Sequence, residues 1–246
     1  MVDIKFIHGD CLEEMPKLAD KSIDMILCDL PYGTTACKWD TIIPFEPLWK
    51  QYKRLIKDNG AIVLTASQPF TTALIASNLP MFRYELIWNK LQGKQPMLAK
   101  VRPMKSHENI LIFSNGKTTY NPQFSEGVPY IDERTKSNHS IHRGETTVGY
   151  KMNNTGFRYP LSVIDSKLVN TPGQHPTQKP VALFEYLIRT YTNEGDTVLD
   201  NCAGSGTTGI AAFNTKRNAI LIEKDEIYFN AAKERFDRET RQVAMW

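Results

Sequence analysis

The chain has 246 residues, 41% of them hydrophobic and 23% charged, with a net charge of +3. That balance excludes a disordered tail, a collagen-like fibre and a disulfide-dense miniprotein, and the length suits one large domain carrying an insertion. The four cysteines, Cys11, Cys28, Cys37 and Cys202, show no C-x-x-C spacing, so a reducing compartment is expected rather than a disulfide framework or a zinc ribbon.

Asp3 and Lys5 sit where a signal peptide needs an apolar segment, so none is expected. A short strand is predicted near Phe6 and a second over residues 23–29. A helix over 45–57 places Leu48, Tyr52, Leu55 and Ile56 on one face. Residues 59–82 carry no charge and approach the length of a membrane span. Gln68, Pro69, Pro80 and several Ser and Thr argue instead for a buried strand over 61–66 followed by a helix. Further strands are predicted over 84–88, 109–113, 197–200 and 219–223. A helix over 181–191 groups Leu183, Leu187, Ile188 and Tyr191. Residues 226–242 read as a charged terminal helix with a solvated face. The strand segments are apolar throughout, as in strands covered on both faces. Seven strands separated by helices predict a doubly wound, mostly parallel α/β sheet.

Residues 114–175 fit no period and are rich in Asn, Ser, Thr, Gly and Tyr. A loop of that length in a compact domain is usually functional. Residues 83–160 hold twelve basic and six acidic side chains, a net +6, which leaves −3 for the remainder. Tyr120, Phe124, Tyr130, Tyr150, Phe157 and Tyr159 lie among them. Cations suit phosphates and aromatic rings suit bases; a solvated surface loop is the plainer alternative.

Two turns carry the chemistry. The first is Asp200-Asn201-Cys202-Ala203-Gly204-Ser205-Gly206-Thr207-Thr208-Gly209, between a predicted strand and a helix. Gly204, Gly206 and Gly209 fit G-x-G-x-x-G, and Glu223 falls at the next strand end, where an acid can hydrogen-bond a ribose. A dinucleotide-binding dehydrogenase is the first reading. Two features oppose it. About 40 residues remain after the motif, so the missing strands must come from the N-terminal part in a permuted order. Asp200 would also repel a pyrophosphate, whereas it suits a ligand bearing an ammonium group, such as S-adenosylmethionine. The second turn is Asp29-Leu30-Pro31-Tyr32-Gly33, at the carboxyl end of the strand over 23–29. Asp29 and the Leu30 carbonyl can accept hydrogen bonds from an exocyclic amine, Tyr32 can stack on its ring, and Pro31 stiffens the backbone. A strand-ending turn without chemistry is the alternative for this motif alone.

Together the two turns resemble those of the DNA amino-methyltransferases, and their order, catalytic turn first and cofactor turn last, is similar to the β class. His175-Pro176-Thr177-Gln178-Lys179-Pro180 and Gly9-Asp10-Cys11 match two further short motifs of that class. The resemblance runs from about Gly9 to Phe236. It implies a seven-stranded methyltransferase sheet with a circularly permuted motif order, S-adenosylmethionine as cofactor, and double-stranded DNA with a flipped target base as partner. It implies a catalytic turn of Asp29, Leu30, Pro31 and Tyr32. It implies cofactor contacts from Asp10 and Cys11 at the adenine, Glu223 at the ribose, Thr177 and Lys179 near the carboxylate, and Asp29, Asp200, Ala203, Gly204, Ser205, Gly206 and Thr207 around the methionine end. It divides the chain into a catalytic half (1–113), a target-recognition region (114–174) and a cofactor-binding half (175–246). Homodimers are common in the family, and its members are bacterial or phage-encoded cytoplasmic proteins. The family usually has two prolines after the acid; here the first is Leu30, a position expected to act through its carbonyl.

The resemblance implies direct methyl transfer to an exocyclic nitrogen. An acid at the first catalytic position leans toward adenine N6, since members acting on cytosine N4 often carry serine there. Methylation at cytosine carbon 5 needs a thiolate, and the Pro-Cys dipeptide that usually supplies it is absent. Alternatives are a protein-glutamine methyltransferase, whose cofactor motif usually comes first, and a silent DNA-binding regulator, which would not need the cofactor residues. The five histidines show no ligand spacing, so no metal site is expected.

Overall fold

The computed structural model describes residues 2–35, 37, 40–134, 150–168 and 178–241. The first half of the chain forms β1 (Ile4–His8), α1 (Cys11–Glu14), β2 (Ile23–Asp29), α2 (Phe45–Leu55), β3 (Ile56–Ala66), α3 (Phe70–Ser77), β4 (Phe82–Lys94) and β5 (Lys105–Phe113). Short strands follow: β6 (Ser125–Glu126), β7 (Tyr130–Arg134), β8 (Tyr150–Asn154), β9 (Phe157–Arg158) and β10 (Val163–Asp165). The last part forms α4 (Val181–Tyr191), β11 (Thr197–Asp200), α5 (Thr207–Asn214), β12 (Asn218–Glu223) and α6 (Glu226–Arg241).

Among the described residues the main sheet has eight strands in the order β1-β12-β11-β2-β3-β5-β4-β10. The pairs from β1 to β3 and the β4–β10 pair are parallel, whereas β5 runs antiparallel to β3 and β4. All seven expected strands are present. The eighth, β10, falls inside the irregular segment and has three residues, too few to show a pattern.

Two buried cores explain why the strands read as unbroken apolar runs. On β2, Ile26 and Cys28 enter one core with Leu48, Trp49 and Tyr52 of α2, while Met25 and Leu27 enter the other with Leu187 and Ile188 of α4. Each fully buried aliphatic side chain contributes about 1.5–3 kcal/mol. No helix of the described residues is long and apolar enough to cross a membrane; the uncharged stretch 59–82 became β3 and α3.

The terminal helix differs from its solvated reading. Ala232 and Arg235 are buried, and the Arg235 guanidinium donates to the Ser205 carbonyl and the Thr207 hydroxyl, both at 3.0 Å. One face of α6 therefore fastens the glycine turn.

The described residues fall into two compact units, 1–121 with 162–246, and Pro122–Leu161. The second unit holds two antiparallel ribbons, β6–β9 and β7–β8. Within it the Arg158 guanidinium lies 4.7 Å from the Tyr130 ring centroid, and Phe124 packs on Tyr159.

Candidate active site

Going out from β2, β11 and β12 lead to α5 and α6 on one side while β3 leads to α3 on the other. The order of connection thus reverses between β11 and β2, and in open α/β sheets ligands bind outside the carboxyl ends of the strands at such a point. Asp29 ends β2 and Asp200 ends β11, on adjacent strands registered through Leu199 and Ile26. A cleft of about 1170 Å³ opens over both.

The turn Asp29–Tyr32 lies on its wall. Thr65 of β3 pairs in register with Asp29, and its hydroxyl donates to Asp29 Oδ1. The Tyr32 hydroxyl donates to the same oxygen at 2.7 Å. Burial first, and then the nearby Asp29 and Glu108 charges, push the Tyr32 phenol well above its ordinary value, so it stays a donor. Its ring stacks on Phe70, centroids 5.3 Å apart. Asp29 Oδ2 receives the Lys179 ammonium at 2.6 Å. Leu30 is buried in the core beneath the turn, which anchors this position.

Lys179 is itself shared. Its Nζ lies 3.3 Å from Glu108 Oε2, and Glu108 Oε1 takes the Lys90 ammonium at 2.5 Å. Asp29, Lys179, Glu108 and Lys90 form an alternating chain of charges. Burial disfavours the Lys179 ammonium, but Asp29 and Glu108 outweigh it and the group is held above its ordinary value. Burial likewise pushes Glu108 up, but Lys179 and Lys90 outweigh it and the carboxyl ends below its ordinary value.

The loop after Tyr32 is held by Asp40, whose carboxylate accepts the backbone N–H groups of Gly33 (2.8 Å), Thr34 (2.8 Å) and Thr35 (2.6 Å). Asp40→Ala is expected to cost about 1–3 kcal/mol, the net worth of charge-assisted hydrogen bonds to amides that water would then solvate, read by urea denaturation.

On the facing wall, Gly204 (φ +50°) and Gly206 (φ +73°) adopt conformations that L side chains rarely tolerate. Glu223 pins this turn, accepting the Gly204 N–H at 2.7 Å and the Asp225 N–H at 2.9 Å. Asp200 is buried and accepts the Thr208 hydroxyl and the Cys202 N–H. Burial pushes its carboxyl up to about 6, against the lowering effect of those hydrogen bonds. Asp10 caps α1 through the Leu12 N–H at 2.9 Å and meets Lys224 at 3.0 Å.

Asp10, Cys11, Ala203, Gly204, Ser205, Thr207 and Glu223 line the same cleft as Asp29, Leu30, Pro31, Tyr32, Lys179 and Asp200. Gly206 stands behind it, its missing Cβ leaving room for Ala232, whose Cβ would be 3.1 Å away. Thr177, with His175 and Pro176, lies outside the described residues, as does Trp39. Cys28 offers no thiolate beside Asp29, because burial pushes it up to about 12.

Thr65, Glu108, Lys90 and Arg235 did not emerge from the sequence, whereas Asp40, which follows the turn, is expected from the sequence to close over it. Glu108 and Lys90 had a usable signal. β5 runs antiparallel to β3, so the residues after β4's core and before β5's core come to the catalytic edge, and both are charges abutting apolar runs.

The donor set suits a cationic, hydroxyl-bearing ligand. Asp10, Asp200 and Glu223 supply carboxylates, and the buried Gln178 Oε1 on the cleft wall has no donor among the described residues. A methyl donor carrying an ammonium and a ribose fits these groups, and such a site on this sheet defines a methyltransferase. A family model described as DNA methylase, of the N6/N4 type, matches residues 23–234, and the chain belongs to this family of DNA amino-methyltransferases, whose methyl donor is S-adenosylmethionine. The DNA adenine methyltransferase YhdJ of Escherichia coli (strain K12) is 29% identical over 248 residues, 94% of this chain and 82% of that protein. The crystal structure of the M1.HpyAVI–SAM complex is similar with a TM-score of 0.63 at 25% identity, covering 94% of this chain and 99% of that one. The cytosine-N4-specific PvuII DNA methyltransferase shares the fold, with a TM-score of 0.68 at 17% identity over 96% of this chain and 87% of its own.

Proposed function

We propose that this DNA methyltransferase acts on the exocyclic N6 amino group of adenine in double-stranded DNA. The observation that carries this reading is the setting of Asp29, a half-buried carboxylate on the cleft wall. Two hydroxyl donors fix Oδ1, and Oδ2 already accepts an N–H donor, the Lys179 ammonium, at 2.6 Å. That is an acceptor built for an amine. The adenine relative and the acid at the first catalytic position support adenine over cytosine.

S-adenosylmethionine supplies an electrophilic methyl group when bound. Asp200, Ala203, Gly204, Ser205 and Thr207 would hold its methionine end, with Lys179 toward the carboxylate, Glu223 at the ribose, and Asp10 and Cys11 at the adenine; the role expected of Thr177 falls outside the described residues. The target base leaves the duplex to reach Asp29. Asp29 Oδ2 and the Leu30 carbonyl accept its amino hydrogens, which aims the nitrogen lone pair at the methyl carbon. Tyr32, braced on Phe70, supports the ring of the base. The N–C bond would form as the methyl donor's C–S bond breaks, its electron pair leaving on sulfur as a neutral thioether, and the nitrogen would then give up one proton, which Asp29 would accept. The aromatic-rich unit Pro122–Leu161 lies within the region proposed to read the DNA sequence.

The test is incubation with unmethylated DNA and labelled S-adenosylmethionine, followed by digestion to nucleosides and mass identification. Label on adenine N6 is expected; label on cytosine N4 would overturn the base assignment. Holding the cofactor's ammonium requires ionised Asp200, so cofactor affinity is expected to be about tenfold weaker at pH 5 than at pH 7, measured by calorimetry. An unchanged affinity would remove Asp200 from that role.

A further inference from the structure

The antiparallel excursion of the sheet does not end at the core. β4 and β5 pair from Phe82↔Phe113 to Asn89↔His107, break register, and pair again at Lys94↔Lys105. They form an arm whose root lines the cleft through Lys90, Lys94, Gln95, Lys105 and Glu108. Its tip turns through Pro96–Leu98.

This tip has a shape of its own. The Arg102 guanidinium donates to the Gln95 side-chain oxygen at 2.9 Å, and the Val101 and Arg102 N–H groups both donate to the Leu98 carbonyl at 3.0 Å. Apolar side chains nevertheless face outward. Met97 is 93% exposed and Val101 78%. Residues 91–107 contain Lys94, Lys100, Arg102 and Lys105 and no acidic residue. Lys105 is tied to Ser67. Lys94, Lys100 and Arg102 form no ion pair with a carboxylate among the described residues.

From these features we infer that the β4–β5 arm is a DNA-gripping element, in which Lys94, Lys100 and Arg102 hold phosphates at the cleft's rim and Met97 enters the base stack. This rests on the reading of the site as one for DNA. A second copy of the chain fits less well, because two such arms meeting across a two-fold axis would bring like charges together without an acid between them. A polyanion answers the charge directly. An apolar tip between flanking cations is what wedges into DNA present, where an inserted side chain occupies the space between partly unstacked bases. Methionine suits the task because its unbranched chain adapts to an irregular gap. A target base must leave the stack to reach Asp29, and the arm rises from the wall of the cleft it would enter.

Two variants of the full chain test this. The first is the triple variant Lys94→Gln, Lys100→Gln, Arg102→Gln, measured on a random-sequence 30-base-pair duplex across a salt series. The slope of log affinity against log salt should flatten by roughly three units, about one for each phosphate no longer neutralised. The second is Met97→Ala, measured on a duplex carrying the wild type's methylation site, mapped by sequencing DNA that the wild type has methylated. It should lower kcat/KM about tenfold on the paired duplex, and fall within about twofold of the wild type on a duplex mismatched at the target base, which is already unstacked. Cofactor affinity should be unchanged in both, which certifies the fold. An unaltered salt slope, an equal Met97→Ala defect on mismatched DNA, or a change of oligomeric state without change in DNA binding would each overturn the inference. Failure of the functional reading looks different: the wild type would transfer no methyl to DNA, yet the triple variant would still flatten the salt slope.

Discussion

Asp29→Ala is expected to lower kcat by roughly 10³-fold or more while cofactor affinity stays within a few-fold of the wild type. The magnitude follows from losing a preorganised acceptor, where one such group is worth about 10²–10³ in rate. The split follows from geometry. Asp29 lines the cleft with Oδ1 held by Thr65 and Tyr32 and Oδ2 by Lys179, whereas the glycine turn is fixed independently by Glu223 and Arg235. Single-turnover transfer of labelled methyl, with calorimetry of cofactor binding, measures both quantities. A variant that keeps a near-normal rate would remove Asp29 from its role. One that loses cofactor affinity in proportion to rate would make it a cofactor ligand rather than an acceptor for the amine.

The second large effect is expected at Lys179. Lys179→Met removes the cation shared by Asp29 and Glu108 and leaves Lys90 as the counter-charge to Glu108. Breaking a buried ion pair from one side costs about 3–5 kcal/mol; Asp29 is partly exposed, so about 3 kcal/mol is expected at pH 7. The sign with pH is fixed by Glu108. Its folded pKa lies below the ordinary 4.5, so its contribution is present above that value and is lost as the pH falls through the folded one. The deficit should therefore be full at neutral pH and shrink in acid. Urea denaturation at pH 7 and pH 4 reads it directly, and a deficit that does not change with pH would refute the electrostatic account. Glu108→Gln should share the neutral-pH loss and couple to Lys179→Met in a double-mutant cycle.

These two sites differ in how far the sequence foreshadows them. Asp29 was legible because it ends an apolar run that could only be a doubly covered strand, and because three turn-forming residues follow it. Asp200 and its glycines were legible for the same reason. The partners of Asp29 were not. Thr65 is one polar residue at the end of a strand whose place beside β2 is set by sheet order, and nothing in its neighbours marks it. Glu108 and Lys179 lie 71 positions apart and meet only because the sheet reverses direction at β5. The arm was missed for another reason. Beyond Trp88 and before Asn109 the strands leave the core, so their outer residues lose the apolar signature that a pattern-based reading needs. The ribbons β6–β9 and β7–β8 escaped likewise, being two to five residues long. Arg235 was hidden by its neighbours: a single buried cation on a helix of mostly charged residues reads as surface.

The permuted strand order also bears on how the protein is made. β2 emerges from the ribosome with the catalytic carboxylate early, yet β11, which flanks it in the sheet, begins at Thr197, and β1 waits for β12 at Asn218. At about 5–20 residues per second, roughly 9–34 s of synthesis separate Asp29 from the end of β11, the strand that completes its neighbourhood. During that interval one edge of β2 is open to pairing with other nascent chains, the hazard that unpaired strands carry. A truncated product that stops before β11 would carry the Asp29 turn without the glycine turn, and so only one wall of the cleft.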